Sequence, residues 1–329
     1  MKETLKEKCN LLMENRDIVN KGFMLELEPS VIAAALIYTD KGFKADASHM
    51  KECKKILKKN QGVFSDFRSS SELTVIAKMA TSDDPEAYIK NVIDIYNSVR
   101  NGKFFTSEHM ALAALSIADL GKKEQTDAIA EKTRNILERM RKLHPFLASM
   151  EDLSFISLLA VTDKSIYQII EDVEDCYEIL KDKFHFHSNA VYSLCQILAI
   201  SGGNSEEKCA KVMEIFNAMK DRKVKYGKEY ELASLGVLVN LNVDTDTLVS
   251  EIIETSEYLK GHKGFGNFAI GKEMRHMFAA LMTSSVYSSN EKSPTAIGGA
   301  IAAAIAQQIA TLIVMTAVMT TVAISSTTN

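Results

Sequence analysis

Short apolar runs alternate along the chain with segments that are apolar on one side only. The runs are Val31–Tyr38, Leu73–Ala80, Met110–Ala118, Leu153–Val161, Val191–Ile200, Leu232–Leu241 and Met274–Met282. Ala and Leu dominate most of them, so they predict helices buried on nearly all sides. Between the runs, apolar residues recur at helical spacing. Ile166, Ile169, Ile170, Val173, Tyr177 and Leu180 form one face, as do Ile89-Val92-Tyr96-Val99 and Cys209-Val212-Met213-Phe216-Met219. Asp84 before Pro85 marks a helix start, with an oxygen acceptor at the cap and proline at the first helical position. Asn204 with Glu207 has capping-box spacing, and Asp46, Asp163 and Asp244 are placed to cap in the same way.

An aromatic marks each junction: Lys21-Gly22-Phe23, Gly62-Val63-Phe64, Gly102-Lys103-Phe104, His144-Pro145-Phe146, Asp182-Lys183-Phe184, Val224-Lys225-Tyr226 and Lys263-Gly264-Phe265. The intervals are 41, 40, 42, 38, 42 and 39 residues. Regularity of that kind predicts an all-α repeat architecture. The expectation is an α-solenoid of about six to seven helical hairpins with a period near 40 residues (HEAT-like), since one hairpin cannot hide both faces of its apolar helix. Residues 1–22 then read as a capping helix, with Leu11, Leu12, Ile18 and Val19 facing inward.

Charge divides the chain in two. It carries 39 Lys+Arg and 43 Asp+Glu, and the last of them is Lys292. Residues 1–290 therefore read as the helical repeat domain and 291–329 as an apolar segment, uncharged after Lys292, containing a C-terminal apolar helix. From Ala296 to Ile324 there are 29 residues, more than the roughly 20 that cross a bilayer as a helix. Gly298, Ala302, Ala306 and Ala310 make a small-residue stripe suited to close helix pairing. The Gln307-Gln308 pair interrupts the segment, and no Lys, Arg or aromatic belt follows. Two expectations stand for this tail: a membrane anchor for a body held in the cytoplasm, or a helix that docks on the repeats or self-associates through 296–324.

The near-neutral balance argues against nucleic acid as a partner. Cys9, Cys53, Cys176, Cys195 and Cys209 suit neither a disulfide framework nor a zinc site and read as small core residues. Gly266 to Lys272 matches the glycine and lysine spacing of a phosphate loop, but Glu273 stands where Ser or Thr would hold magnesium, and no strand precedes it. His185 and His187 lack further ligands nearby. No cofactor, metal or catalytic residue is nominated, and enzymatic activity is not supported.

Two charged faces remain as a candidate partner surface. Lys51, Lys54, Lys55, Lys58 and Lys59 form a basic stripe, and Glu171, Asp172, Glu174, Asp175 and Glu178 an acidic patch three repeats later. The layout resembles an uncharacterised bacterial family, domain-of-unknown-function 4003. The carriers are the charged start, Lys21-Gly22-Phe23, Phe64-Ser-Asp-Phe67-Arg68, the Leu/Ala helices and the Ala/Ile-rich end. The resemblance implies a bacterial protein of about this length and supplies no activity. The expected function is a non-enzymatic helical-repeat binding or scaffold protein with an extended surface for a protein or peptide partner. The alternative is an enzyme or small-ligand binder with its site in a groove between hairpins.

Overall fold

A computed structural model describes residues 1–62, 65–101, 107–288 and 299–327, with side chains in the last stretch described for residues 301–315. The fold is all-α, as the apolar periodicity requires, and no strand occurs among the described residues. The helices alternate between an outer and an inner layer. The outer ones are α1 (Glu3–Gly22), α3 (Ala47–Asn60), α5 (Pro85–Arg100), α7 (Thr126–Leu143), α9 (Ile166–Leu180), α11 (Ser205–Asp221) and α12 (Thr245–Lys260). Each is followed by an inner segment: α2 (Glu28–Asp40), α4 (Glu72–Ala80), α6 (Glu108–Asp119), α8 (Leu153–Val161), α10 (Ser188–Ile200), a 3₁₀ segment (Tyr230–Val237) and α13 (Gly271–Ser288).

Burial explains the division. Along α3 only Met50, Cys53 and Leu57 are buried, one stripe of an otherwise polar helix. Along α2 every residue from Pro29 to Thr39 is buried, because the outer layer covers one side and the molecule's interior the other. The sixth inner segment is 3₁₀ rather than α. There the wall is so close that a Cβ on Gly236 would come 2.6 Å from Ile197 Cγ2. All five cysteines are free and buried.

The expected caps form at Asp46, Asp84, Asn204 and Asp244, whose side chains accept from backbone N–H groups two or three residues on. Such a cap stabilises by about 1 kcal/mol. Asp163 is not the cap of α9. Ser165 takes that place, in a reciprocal box with Gln168, because the helix starts at Ile166, three residues after the acid.

The outer helices pack in cyclic order, α1 on α3 and so on to α11 on α12, and α12 packs back on α1. The layers form a closed ring, so α1 is no cap on a free end. Tyr258 Oη donates to Asn10 Oδ1 at 2.6 Å, His262 Nε2 lies 3.1 Å from Asp17 Oδ2, and the N-terminal ammonium pairs with Glu254. Deeper in the seam, buried Arg16 grips Glu28 with two parallel bonds of 2.5 and 2.6 Å. Gly264, at φ +93°, lets the α12–α13 connection pass against that pair, where a Cβ would come 2.3 Å from Arg16 Nε.

The ring has two faces. One carries the connections from each outer helix to its inner partner, the other the turns back outward. On the first face, His187 reaches Glu229 at 2.8 Å, tying successive connections together, and Tyr230 Oη reaches Glu151 two connections away at 3.2 Å. On the second, Lys164 Nζ donates to the Ala199 and Ser201 carbonyls at 2.7 and 2.9 Å.

The last helix, α14 (Gly299–Thr327), enters the ring. It packs against α2, α6, α8, α13 and the 3₁₀ segment, and Ala302, Ala306 and Ala310 of the small-residue stripe are buried there, as are Ile305, Ile309 and Ile313. Gly298, Phe64 and Gly102 to Phe104 lie outside the described residues, as does the boundary expected at 290–291. Among the described residues no helix is long and apolar enough to cross a membrane.

Gly264→Ala tests the seam. The left-handed φ and the crowding of Arg16 and Glu28 both oppose a side chain, so equilibrium urea unfolding should show a loss of about 2–3 kcal/mol. An unchanged midpoint would mean that the ends of the ring are not joined in this way.

Candidate functional site: the ring lumen

A helix made mainly of Ala and Ile offers few polar groups, and among residues 301–315 of α14 those of Gln307, Gln308 and Thr311 meet the ring wall. Lys78 Nζ, 5% exposed and one of two cations inside the apolar runs with Arg275, donates to Gln307 Oε1 at 2.6 Å. Gln307 Nε2 donates to Asp40 Oδ2 at 3.2 Å, and Asp40 Oδ1 pairs with Lys8 at 3.2 Å. Lys78 also pairs with Asp119, whose other oxygen accepts from Tyr88 Oη at 2.7 Å. Lys8 donates onward to Ser285.

One polar chain thus runs through α13, α1, α2, α14, α4, α6 and α5, with two cations balanced by two carboxylates. Such closure matters because a buried charge left unpaired is expensive. One step further along α14, Gln308 donates to Ser116 and to the Leu112 carbonyl, the latter at 3.0 Å. A further turn on, Thr311 Oγ1 lies 3.4 Å from Thr74 Oγ1. Burial pushes the Asp40 carboxyl up, against the opposing pull of Lys8 and Gln307. Burial beside Asp119 likewise pushes the Tyr88 phenol well up, and burial pulls Lys41 down.

Cavities flank α14 at both ends of the lumen. On the turn face one of about 530 Å³ is lined by Asp40, Lys78, Tyr88, Asp119 and Gln307 of the polar chain, with Lys41 and Asp83. On the connection face one of about 250 Å³ lies between Glu151, Asp152, Asn189, Ser193, Glu229 and Leu312 of α14. Asp152 accepts from Gln196 Nε2 at 2.6 Å and from the Ser149 N–H at 2.7 Å. Burial nevertheless raises its pKa to about 6. These groups can bind polar or charged atoms and exchange a proton near neutrality. Among the described residues no group of three or more His, Cys, Asp and Glu is placed to hold a metal ion.

The charged faces expected as a partner surface lie elsewhere, on the outside of the ring. Lys51, Lys55, Lys58 and Lys59 are exposed on α3, whereas Lys54 turns in to pair with Glu72 at 2.9 Å. On α9, Glu171, Asp175 and Glu178 are exposed. Asp172 pairs with Lys164 at 2.7 Å and Glu174 with His144 at 2.6 Å. Because α3 and α9 stand three places apart in a seven-membered cycle, the patches face away from each other across the ring. His187 of the expected histidine pair is committed to Glu229, and Gly271 to Glu273 open α13.

The lumen residues were missed in the sequence for a definite reason. Lys78 within Leu73–Ala80 and the Gln pair within the tail are polar exceptions in apolar segments, as Gln196 and Arg275 are elsewhere. That is the signal by which buried polar networks announce themselves, but nothing local pairs residues 229 positions apart.

The model of a family described as "Protein of unknown function (DUF4003)" matches residues 27–318. No curated protein and no solved structure matches the chain.

Titration of Asp152 has a measurable consequence. Between its ordinary pKa of 3.8 and about 6 the folded chain keeps a proton that the unfolded chain has released. Stability gained at low pH is therefore lost as pH rises through that window, by at most about 3 kcal/mol. The stability difference between wild type and Asp152→Asn, from urea unfolding at pH 4 and pH 7, should shift in the variant's favour by a large part of that amount. Parallel pH profiles would contradict the assignment.

Proposed function

We propose, for a chain that belongs to the DUF4003 family, a non-enzymatic binding role in which the ring lumen holds a helix of a protein or peptide partner. The chain's own α14 fills that place when no partner is bound. One observation carries this reading: the wall meets Gln307, Gln308 and Thr311 with side chains from several helices, as a receptor meets a ligand. The helix such a lumen selects has small and β-branched residues on its faces and a central amide pair. We take the ring itself to be a helical repeat of about forty residues, HEAT-like in its period and closed rather than open-ended. In support, outer helices begin at Glu3, Ala47, Pro85, Thr126, Ile166, Ser205 and Thr245. Attachment to a second copy is the special case in which the partner helix is another α14.

A second reading, a small-ligand site or enzyme between hairpins, is favoured by the 530 Å³ cavity. There Lys78, Asp119, Tyr88 and Asp40 converge beside α14. It predicts saturable binding of a small polar molecule that Tyr88→Phe weakens.

Competition separates the two. A fluorescent peptide spanning residues 299–315, tagged with lysines for solubility, should bind the full-length chain weakly. Gln307→Ala with Gln308→Ala in the chain should tighten binding about tenfold, since a less populated internal helix frees the lumen. No binding to either protein, or tighter binding to wild type, would overturn the helix-receptor reading.

A further inference from the structure

On the connection face of the ring, large apolar side chains stand fully in water. Leu25 is 101% exposed, Phe146 95%, Phe186 101% and Phe268 109%, with Met24 at 78%. Each belongs to a different outer-to-inner connection, except Met24 and Leu25, which share the first. Toward the opposite face the comparable residues among those described are Phe43, at 52%, and Tyr167 in the first turn of α9, at 66%. Soluble surfaces scatter such residues singly; a crown of them on one face marks a surface that meets something apolar.

The crown is held rigidly. Phe186 sits at φ +67°, a conformation that costs a bulky side chain energy and persists only where the surroundings impose it. On one side Phe184 is buried edge-on against Phe216 at 5.0 Å, and on the other His187 is fixed to Glu229. Phe268 projects between Asn267, whose Oδ1 accepts from buried Arg275 at 2.8 Å, and buried Ile270. Phe146 follows His144, which is fixed to Glu174. Side chains that would gain by turning inward are instead pointed outward by anchored neighbours.

Exposed lysines surround the same positions. The connections after α9, α11 and α12 are neighbours in the ring, and they carry Lys183, Lys223, Lys225 and Lys263 in the open, with exposed Lys21 in the last turn of α1 beside the next. Glu26, Asp182, Asp221, Glu229 and Glu273 are the acids of this arc; Glu229 is engaged by His187, Glu273 pairs with Lys225 at 3.3 Å, and exposed Lys228 adds to the cations. The arc from Phe186 to Leu25 therefore alternates protruding apolar tips with an excess of positive charge.

We infer that this face docks on an anionic lipid bilayer, with Leu25, Phe146, Phe186 and Phe268 entering the interfacial zone and the lysines meeting lipid phosphates. A bilayer surface is flat and meets the tips of several connections at once, and it offers both an acyl boundary and negative charge. Nucleic acid would offer the lysines phosphate but nothing to Leu25 and Met24. The tail plays no part in this contact, nor does the lumen, so the inference does not rest on the helix-receptor reading.

Co-sedimentation of the full-length chain with phosphatidylcholine vesicles, with and without phosphatidylserine, tests it. Wild type should pellet with the anionic vesicles and much less with the neutral ones. Phe186→Ser with Phe268→Ser should lower the partition coefficient about tenfold. Lys183→Glu, Lys223→Glu and Lys263→Glu together should lower it about a hundredfold or more, at about fivefold for each lysine removed. All five positions are exposed, and unchanged helical circular dichroism confirms that the variants are folded. Failure of wild type to pellet with anionic vesicles overturns the inference. Pelleting that neither variant set reduces overturns it too, since another part of the chain would then carry the binding.

Discussion

A ring of helices that closes on itself leaves a space on its axis, and that space cannot stay empty if its wall is apolar. The chain fills it with its own last helix. That constraint orders the rest of the structure. Inner helices such as α2 are buried on every side because they face the outer layer outwardly and α14 inwardly. The filling helix must be slender, which Ala302, Ala306 and Ala310 provide. It must also be fixed in rotation and depth, since Ala and Ile surfaces slide over one another with little preference. Gln307, Gln308 and Thr311 supply that register by meeting Lys78, Asp40, Ser116 and Thr74 at defined positions.

The same polar chain links the seam of the ring to its centre. Lys8 lies on α1, one side of the closing contact, and through Asp40 it reaches Gln307 on α14. A ring that opened between α1 and α12 would disturb Lys8, and an α14 that withdrew would leave Lys78 and Asp40 without Gln307. Closure and filling are therefore coupled through one set of buried side chains. The connection face is built differently: there the anchoring bonds hold apolar tips out rather than drawing them in.

Much of this was legible in the sequence. The apolar runs located the inner helices, and caps such as Asp84 and Asp244 located the starts of outer ones, because both signals are local. Closure was not legible. Its decisive contacts join Arg16 and Glu28 to Gly264, and Asn10 to Tyr258, across nearly the whole chain, and no spacing records them. The close approach of Ile197 to Gly236 in the sixth inner segment is again a non-local fact. The tail showed its small-residue stripe and its glutamines plainly. Where those glutamines would bond depended on Lys78 and Asp40, and the exposed tips of the connections were indistinguishable from buried aromatics such as Phe184 two residues away.

The placement of α14 inside its own ring can be tested most directly by a cross-link. The Thr74 and Thr311 hydroxyl oxygens lie 3.4 Å apart, within reach of a disulfide after Thr74→Cys and Thr311→Cys. Mild oxidation of the double variant should join α4 to α14 within a single chain, seen by peptide mapping of the non-reduced monomer. If no such link forms, or only linked dimers appear, the last helix does not fill the lumen of the chain it belongs to.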